Sequence, residues 1–285
     1  MSTASNLGDG LRHLQSLGLP RLEAQMLLLH TCGRPTQDRA WLLSHADQPL
    51  TEDQQHRLRQ DAQRRLQGEP MAYIVGHKDF HALRLKVDAR VLDPRDDTET
   101  LVDWALELSQ GASSKDVLDL GTGSGAIALA LAHARPAWRV TGSDASASAL
   151  DVARDNGLSL QLNVRWVHGS WLNPFAGERF DLIVSNPPYI PLGDPHLSAL
   201  EHEPPSALVS GADGLDDLRQ IVTQAGQHLN VGGWLLLEHG HDQAEAVRQR
   251  LTQAGFDGVV SRRDLAGIER CSGGRWLGQA GFCQP

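Results

Sequence analysis

The chain has few cysteines and no long apolar segment. Its three cysteines, Cys32, Cys271 and Cys283, lie far apart among 285 residues. An odd number at such spacing matches neither a disulfide framework nor a zinc motif, and it favours a reducing compartment. No run of 18 apolar residues occurs, and the residues after Met1 lack the apolar core of a signal peptide. These absences predict a cytoplasmic protein that is neither secreted nor membrane-spanning, with a monomer as the default expectation.

Positive charge is also scarce. The chain has only three lysines and a formal net charge of −9, and this excess lies in residues 71–285 because residues 1–70 are neutral. Binding to nucleic acid backbones requires clustered lysine and arginine, so no direct nucleic acid binding is expected. The pairs His77 with His81 and His239 with His241 lack further ligands nearby in sequence, so no metal site is predicted.

Two kinds of pattern divide the chain. Residues 1–75 are typical of helices only, and the clearest helix begins at Thr51, where Gln54 completes a capping box, and ends at Gln67. Residues 76–94 alternate between apolar and polar side chains, which predicts a β-hairpin linker. Residues 95–285 alternate strands with helices. Strands are predicted at 116–120, 138–143, 164–167, 180–185, 234–238, 259–262 and 275–278, and the main helices at 125–134, 147–156, 218–229 and 243–254.

This alternation predicts an α/β fold in which a mostly parallel sheet carries helices on both faces. In such folds, ligands bind at the carboxyl ends of the strands. The small helical region at 1–75 forms a separate domain in this prediction, and residues 95–285 form the catalytic domain.

A glycine-rich turn follows the first of the parallel strands. The segment Asp119-Leu120-Gly121-Thr122-Gly123-Ser124-Gly125 leads from strand to helix, where glycines let the backbone approach a ligand closely. Asp144 ends the next strand, where a carboxylate can bind both hydroxyls of a ribose. Together they predict an adenosine-containing cofactor, and they leave NAD and S-adenosylmethionine both open.

The sequence Asn186-Pro187-Pro188-Tyr189 follows a short buried strand of the same sheet. An amide oxygen at Asn186 and a backbone carbonyl at Pro187 can each accept one N–H from a planar amide, and Tyr189 can stack on that plane. A methyltransferase needs such a clamp to orient a weakly nucleophilic nitrogen towards the sulfonium methyl group, whereas a dehydrogenase does not. The motif therefore favours an S-adenosylmethionine-dependent N-methyltransferase.

With these motifs, the chain resembles the PrmC/HemK family, the protein-glutamine N5-methyltransferases that modify peptide chain release factors. The resemblance covers nearly the whole chain and rests on residues 97–99, 119–125, 186–189, 194–197, 203–204 and 237–240. It implies a class I, Rossmann-like methyltransferase domain behind a helical-bundle domain that recognises the substrate. It also implies transfer of a methyl group to the glutamine of the Gly-Gly-Gln motif in class 1 release factors, with S-adenosyl-L-homocysteine as the product.

The resemblance also implies roles for individual residues. Gly121, Thr122, Gly123, Ser124 and Gly125 line the methionine part of the cofactor, Asp144 binds the ribose, and Trp171 flanks the adenine. The glutamine amide is held by Asn186, Pro187, Pro188 and Tyr189, with Asn186, Pro187 and Tyr189 as the catalytic set, and Asn186 is also expected to contact the cofactor. Residues 97–99 are expected close to the cofactor, closing over it, and residues 190–206 are expected to form a mobile, non-helical cover.

Three positions in two segments depart from the family pattern. Asp93 and Asp96 replace an apolar residue and a proline, which predicts a looser and more acidic segment before the first catalytic helix. Ser170 stands where many relatives carry an acid, so a weaker hydrogen bond to the adenine amine is expected.

Three other functions are compatible with the same motifs. A glutamine methyltransferase of a large-subunit ribosomal protein would use identical chemistry. An adenine-N6 nucleic acid methyltransferase would place a flipped base in the clamp, although the acidic domain and the few lysines argue against it. A catalytically silent cofactor-binding module is the third, and the intact Asn186–Tyr189 motif argues against it.

Overall fold

The computed structural model describes residues 5–108 and 114–278 of the chain. It contains two compact units, Met1–Gly76 and His77–Pro285. The expectations that concern Met1 and the residues directly after it, as well as Cys283, lie outside the described residues. Within the described ranges, no helix is both long and apolar enough to cross a bilayer.

The first unit is helical in its described part. Its helices are α1 (Leu7–Ser16), α2 (Arg21–Thr31), α3 (Arg39–Ser44), α4 (Glu52–Leu66) and α5 (Met71–Val75). They enclose a leucine-rich core in which Leu27, Leu28 and Leu29 of α2 are fully buried. The predicted capping box begins α4: the Thr51 hydroxyl accepts a hydrogen bond from the Gln54 amide at 3.2 Å, and the Gln54 side chain accepts one from the Thr51 amide at 3.0 Å.

The second unit begins with the predicted hairpin, formed by β1 (His77–Phe80) and β2 (Leu83–Lys86). The hairpin is shorter than the alternating pattern that predicted it, and residues 87–95 continue without regular structure to a short 3-10 turn at Asp96–Thr98. The Asn156 side chain bonds both the amide and the carbonyl of Lys86, at 2.7 and 3.0 Å, and so ties the hairpin to the body of this unit.

A seven-stranded sheet forms the centre of the second unit. Its strands are β3 (Asp116–Leu120), β4 (Arg139–Asp144), β5 (Arg165–His168), β6 (Phe180–Ser185), β7 (Leu229–Glu238), β8 (Phe256–Arg263) and β9 (Glu269–Trp276), in the order β5-β4-β3-β6-β7-β9-β8. The strands from β5 to β7 are parallel, and β9 pairs antiparallel with both β7 and β8. The mostly parallel α/β fold predicted from the sequence is confirmed.

Helices cover both faces of this sheet. They are α6 (Glu99–Glu107), α7 (Ala126–Ala134), α8 (Ala147–Leu160), α9 (Asp216–Ala225) and α10 (Ala244–Gln253). Adjacent residues of β3 pack into hydrophobic cores on opposite faces of the sheet. Val117 packs with α6 and α7, whereas Leu118 packs with α9 and α10. Burial on both faces explains why the strands appear as continuous apolar runs in the sequence. The strand order reverses between β3 and β6, which opens a crevice at their carboxyl ends.

The predicted bounds were wrong mainly at the antiparallel end of the sheet. The last strand is Glu269–Trp276 and not 275–278, because Gly273 and Gly274 lie inside it although paired glycines favour turns. A Cβ atom at Gly273 would lie 2.5 Å from a methyl group of Leu236, so close packing requires glycine there. The helix predicted at 218–229 ends at Ala225, and β7 begins at Leu229 rather than at Trp234.

Candidate active site

A cavity of about 640 Å³ opens at the carboxyl ends of β3, β4 and β6, where the strand order reverses. Four predicted site residues on its wall come from these strand ends: Gly121, Gly123, Asp144 and Asn186. Parallel strands bring their carboxyl ends to the same sheet edge, so residues up to 65 positions apart in the sequence meet here.

The glycine-rich turn takes a backbone path that only glycine adopts readily. Gly121, Gly123 and Gly125 have φ angles of 68°, 55° and 84°. A Cβ at Gly121 would lie 3.3 Å from the Trp171 ring, whereas a Cβ at Gly123 would meet nothing within 4 Å. The wall at Gly123 is therefore bare backbone facing open space, as close approach of a ligand requires.

The cavity wall does not include Thr122, Ser124 or Gly125, which instead hold the shape of the turn. The Thr122 hydroxyl donates to the Asp119 carboxylate at 2.5 Å. The Ser124 carbonyl accepts from Asn156 at 2.9 Å, and a Cβ at Gly125 would lie 3.0 Å from both Leu129 and Trp166. Their contribution to a ligand is indirect.

Asp119 lies beneath this turn and is fully buried. Its Oδ2 atom accepts from Thr122 and from the Ala128 amide, while Oδ1 has no partner among the described residues. Burial raises the pKa of this carboxyl to about 7, since the two hydrogen bonds offset only part of the desolvation.

Asp144 is fixed by backbone amides at the end of β4. Its Oδ2 accepts from the Gly123 amide at 2.9 Å, and its Oδ1 accepts from the Ser146 amide at 2.8 Å. The hydroxyl of Ser146, not Asp144, caps helix α8. Burial raises the pKa of the Asp144 carboxyl. The carboxylate is thus held rigidly on the cavity wall, with lone pairs left for ligand hydroxyls.

Trp171 forms the side of the cavity next to Gly121. Its backbone is left-handed, with a φ of 46°, an unusual conformation for a large residue. Its indole N–H donates to the Asp217 carboxylate at 3.1 Å. The ring is half-buried and therefore presents a flat apolar surface beside Gly169 and Ser170.

Asn186 lies between this cavity and a second one of about 160 Å³. The smaller cavity is also lined by Tyr189 and Arg95. The Asn186 NH2 group donates to the Thr98 hydroxyl at 3.2 Å, which directs the amide oxygen away from Thr98. Pro188 lines the larger cavity, whereas Pro187, in the same loop, is buried.

Tyr189 is held in place through its backbone. Its carbonyl accepts from the Gln243 side chain at 3.0 Å, and the same side chain accepts from the Gly240 amide at 2.9 Å. A Cβ at Gly214 would lie 2.2 Å from the Tyr189 carbonyl oxygen, so the loop packs directly against glycine backbone. Burial raises the pKa of the Tyr189 phenol, which stays protonated at neutral pH.

The cover predicted at residues 190–206 has no α-helix; two 3-10 turns, Pro195–Leu200 and Pro205–Ala207, supply its regular structure. Glu203 is 3% exposed, and its carboxylate forms an ion pair with Arg95. It also accepts a hydrogen bond from the Asp93 amide at 3.1 Å. Asp93, which departs from the family pattern, is therefore at the point where the segment before α6 is hydrogen-bonded to residues 190–206.

Residues 97–99 do not line the larger cavity as the resemblance implied. Residues 89–92 form that part of the wall. Thr98 instead lies behind Asn186, and the Glu99 carboxylate accepts from the His81 amide at 2.9 Å. Asp96 is on the surface, where it pairs with Lys78 at 2.8 Å.

Two supporting residues, Glu238 and Gln243, were not assigned a role from sequence, and a third, Thr98, was expected close to the cofactor but lies behind Asn186. Each reaches the Asn186–Tyr189 loop from another element. Within residues 5–108 and 114–278, no cluster of three or more His, Cys, Asp or Glu side chains is placed to hold a metal ion.

Known proteins with similar sequences carry both parts of this architecture. Residues 7–76 match the family model described as PrmC N-terminal domain, and residues 97–202 match the model described as Methyltransferase small domain. Among solved structures, the 16S rRNA N2 G1207 methyltransferase of T. Thermophilus, in complex with AdoMet and guanosine, has a TM-score of 0.53 at 19% identity, covering 70% of this chain and 49% of that one. At this identity the likeness establishes the fold alone.

Full-length relatives are much more similar. The release factor glutamine methyltransferase of Xylella fastidiosa (strain Temecula1) is 48% identical over 263 residues, which cover 91% of this chain and 94% of that protein. The enzyme of the same name from Bordetella pertussis is 50% identical over 260 residues, covering 90% and 95%. That from Pseudomonas aeruginosa is 48% identical over 259 residues, covering 90% and 92%. The resemblance inferred from the sequence motifs is confirmed, and the chain belongs to the release factor glutamine methyltransferase family.

Proposed function

We propose that this protein transfers a methyl group from S-adenosyl-L-methionine to the side-chain amide nitrogen of the glutamine in the Gly-Gly-Gln motif of class 1 release factors. The observation that carries the proposal is the position of Asn186, which lines both the larger cavity and the smaller one. A cofactor in the larger cavity and an amide in the smaller one would meet at this side chain.

The larger cavity has the chemistry that S-adenosylmethionine needs. Asp144 offers carboxylate oxygens to ribose hydroxyls, Trp171 offers a flat apolar surface to adenine, and Gly121 and Gly123 offer bare backbone to the methionine part. Thr122, Ser124 and Gly125 support this turn from behind. When bound, the cofactor supplies a methyl group on a positively charged sulfur atom.

The smaller cavity would orient the substrate amide. The Asn186 side-chain oxygen and the Pro187 carbonyl would each accept one N–H of the glutamine, and the Tyr189 ring would stack on the amide plane. Pro188 stiffens the loop because its φ angle is fixed. Accepting both N–H bonds holds the nitrogen lone pair towards the larger cavity and increases the electron density on nitrogen as the new bond forms.

The choice of substrate follows the relatives. The similar proteins from Xylella, Bordetella and Pseudomonas are release factor glutamine methyltransferases, and the match extends over both the helical unit and the catalytic unit. This supports a release factor over a ribosomal protein as the substrate. Since release factors act on translating ribosomes, the protein would work in the cytoplasm.

A transfer assay with labelled S-adenosylmethionine tests the proposal. The acceptors are a class 1 release factor, the same factor with its Gly-Gly-Gln glutamine changed to alanine, a large-subunit ribosomal protein, and duplex DNA. Label is expected on the wild-type factor only. Label on the ribosomal protein alone would replace the partner and keep the chemistry, whereas label on DNA would show that the clamp holds a base.

The Asn186→Ala variant tests the clamp in the same assay. Transfer should fall by a factor of at least about 100, since a preorganised hydrogen bond to the reacting group is lost. Cofactor affinity should change little by comparison. Asn163→Ala is the matched control, because Asn163 is exposed at the opposite end of β5. Equal activity of the two variants would refute the role of Asn186.

A further inference from the structure

Glu238 is a buried carboxyl next to the amide clamp. It is the last residue of β7 and is 1% exposed. Its neighbour Leu237 pairs with Ser185, the residue before Asn186, so the ends of β6 and β7 bring Glu238 beside Asn186. Neither carboxylate oxygen of Glu238 makes a hydrogen bond of normal geometry with any described residue.

The charged and titratable groups around Glu238 come from three directions. Arg270 on β9 is the cation that acts on Glu238, but it already pairs with Asp264 at 3.2 Å and with Asp97 at 3.4 Å. Cys271 lies directly opposite Glu238 on β9, and Tyr189 approaches from the loop after β6. The thiol and the phenol both have raised pKa values and stay protonated at neutral pH. Among the described residues, Glu238 therefore has no ion pair of its own.

An unpaired buried carboxyl is costly, and an apolar residue or a glutamine of similar size would avoid that cost. The polar groups nearest to Glu238 are Thr98 and Asn186. The Asn186 NH2 already points to this side of the clamp, where it donates to Thr98. Because the amide is planar, fixing its NH2 end on this side fixes its oxygen on the opposite side, where the substrate would bind.

We propose, on the basis of the function proposed above, that Glu238 is a positioning residue for methyl transfer: its ionised carboxylate accepts a hydrogen bond from the Asn186 NH2 group and so orients and polarises the Asn186 oxygen that holds the substrate amide. A hydrogen bond donated to a carboxylate shifts electron density within the asparagine amide towards its oxygen. That oxygen becomes a stronger acceptor for the glutamine N–H. The interaction acts on the substrate only through Asn186.

The charge state of Glu238 changes close to neutral pH. Burial raises its pKa to about 7, and the raising effect of Asp97 adds to this, while Arg270 and the two polar neighbours act in the opposite direction. A protonated carboxyl is a weaker hydrogen-bond acceptor than a carboxylate, so it holds and polarises the Asn186 NH2 group less. Turnover should therefore rise with pH through about 7, as Glu238 loses its proton.

The first experiment measures kcat as a function of pH, with release factor and S-adenosylmethionine both saturating. The wild-type protein should show an ascending limb between pH 6 and 8. Glu238→Gln should lose this limb and should lower kcat by about 10- to 100-fold at pH 8, the effect of one charge-assisted hydrogen bond. Glu245→Gln is the control, because Glu245 is exposed on α10.

Two further measurements separate positioning from folding. The KM for the release factor, the S-adenosylmethionine Kd from calorimetry and the unfolding midpoint should all stay within about twofold or a few degrees of wild type in Glu238→Gln. Loss of cofactor binding or of folding together with kcat would mean that Glu238 has a structural role only. Absence of the limb in the wild-type profile would overturn the proposal without any variant.

The same experiments distinguish an error in the proposed substrate from an error in the role of Glu238. If wild-type protein methylates another acceptor, such as the ribosomal protein or DNA, the pH profile and the Glu238→Gln comparison are made with that acceptor. Loss of the limb there supports the role of Glu238 with a different substrate. An unchanged limb in the variant refutes that role whichever acceptor is methylated.

Discussion

Asp144 shows how a single side chain can be both a structural and a ligand-binding group. Its two oxygens each accept one backbone N–H, from Gly123 and from Ser146, and the same carboxylate lines the larger cavity. An asparagine at this position has only one oxygen, so its NH2 group would face a backbone N–H. The carboxylate is therefore required for the shape of the turn as well as for its charge.

We expect Asp144→Asn to weaken S-adenosylmethionine binding by about 10- to 100-fold, since hydrogen bonds from ribose hydroxyls to a charged group are lost. Isothermal titration calorimetry measures this directly. Asp151→Asn serves as the control, because Asp151 is exposed on α8 and pairs with Arg154 at 2.9 Å on the surface. An unchanged Kd in Asp144→Asn would contradict the assignment of the ribose site.

Residues at the turns of a parallel sheet can be predicted from sequence, but residues behind them cannot. The glycine turn, Asp144 and Asn186 each follow an apolar strand, and topology alone brings them to one edge. Gln243 carries no such signal, and Thr98 was expected close to the cofactor and not behind Asn186. They contact the Asn186–Tyr189 loop only after distant elements have packed.

Gln243 illustrates a contact at the scale of elements. It precedes α10, and its side chain joins the Tyr189 carbonyl to the Gly240 amide at the end of β7. This link fixes the position of the Asn186–Tyr189 loop relative to the end of β7. Loss of the link should let the loop move by a fraction of an ångström or more, and such displacements affect reaction rates strongly.

Gln243→Ala should lower kcat for methyl transfer by about 10-fold or more, while the S-adenosylmethionine Kd stays within about twofold of wild type. Steady-state kinetics and calorimetry measure the two quantities separately. Gln249→Ala is the matched control, since Gln249 is exposed on α10 and its side chain bonds to Glu245 on the surface. A wild-type kcat in Gln243→Ala would show that the loop does not depend on this link.

Elements were predicted best where the local pattern and the tertiary environment agree. The bounds of β3 and β6 were predicted correctly because both are short apolar runs between turns. The bounds of β7 and β9 were not, because glycines within them favour turns locally. At Gly273 of β9, close packing against Leu236 explains why a glycine stands in a strand.

At the scale of the whole molecule, buried carboxyl groups make stability depend on pH. Asp119 has a pKa raised to about 7 in the folded protein, against 3.8 for an unperturbed aspartate. The folded state therefore holds a proton that the unfolded state releases above about pH 4. Such a group stabilises the folded state fully only below pH 4, and this contribution is lost as the pH rises to about 7. Glu238 acts in the same direction, and the lowered pKa of His239 acts in the opposite direction below pH 6.5.

Asp119→Asn isolates one of these contributions. Asparagine keeps an oxygen that can accept from Thr122 and Ala128, but it does not titrate. Between pH 5 and pH 7 the wild-type protein should lose up to about 3 kcal/mol of unfolding free energy relative to this variant, from 1.36 kcal/mol for each pH unit per proton. Urea unfolding followed by tryptophan fluorescence measures the difference, because six of the seven tryptophans lie in the second unit.

The control for this measurement is again Asp151→Asn, whose pH dependence should match that of wild type. The wild-type and Asp119→Asn curves should run parallel above about pH 7.5, where Asp119 is ionised in both states of the wild-type protein. A constant difference from pH 5 to pH 7 would instead mean that Asp119 is already ionised in the folded protein. In that case the turn beneath the cofactor site would carry a negative charge at every pH at which the enzyme works, and the electrostatic contribution of Asp119 to binding of a positively charged cofactor would not vary with pH.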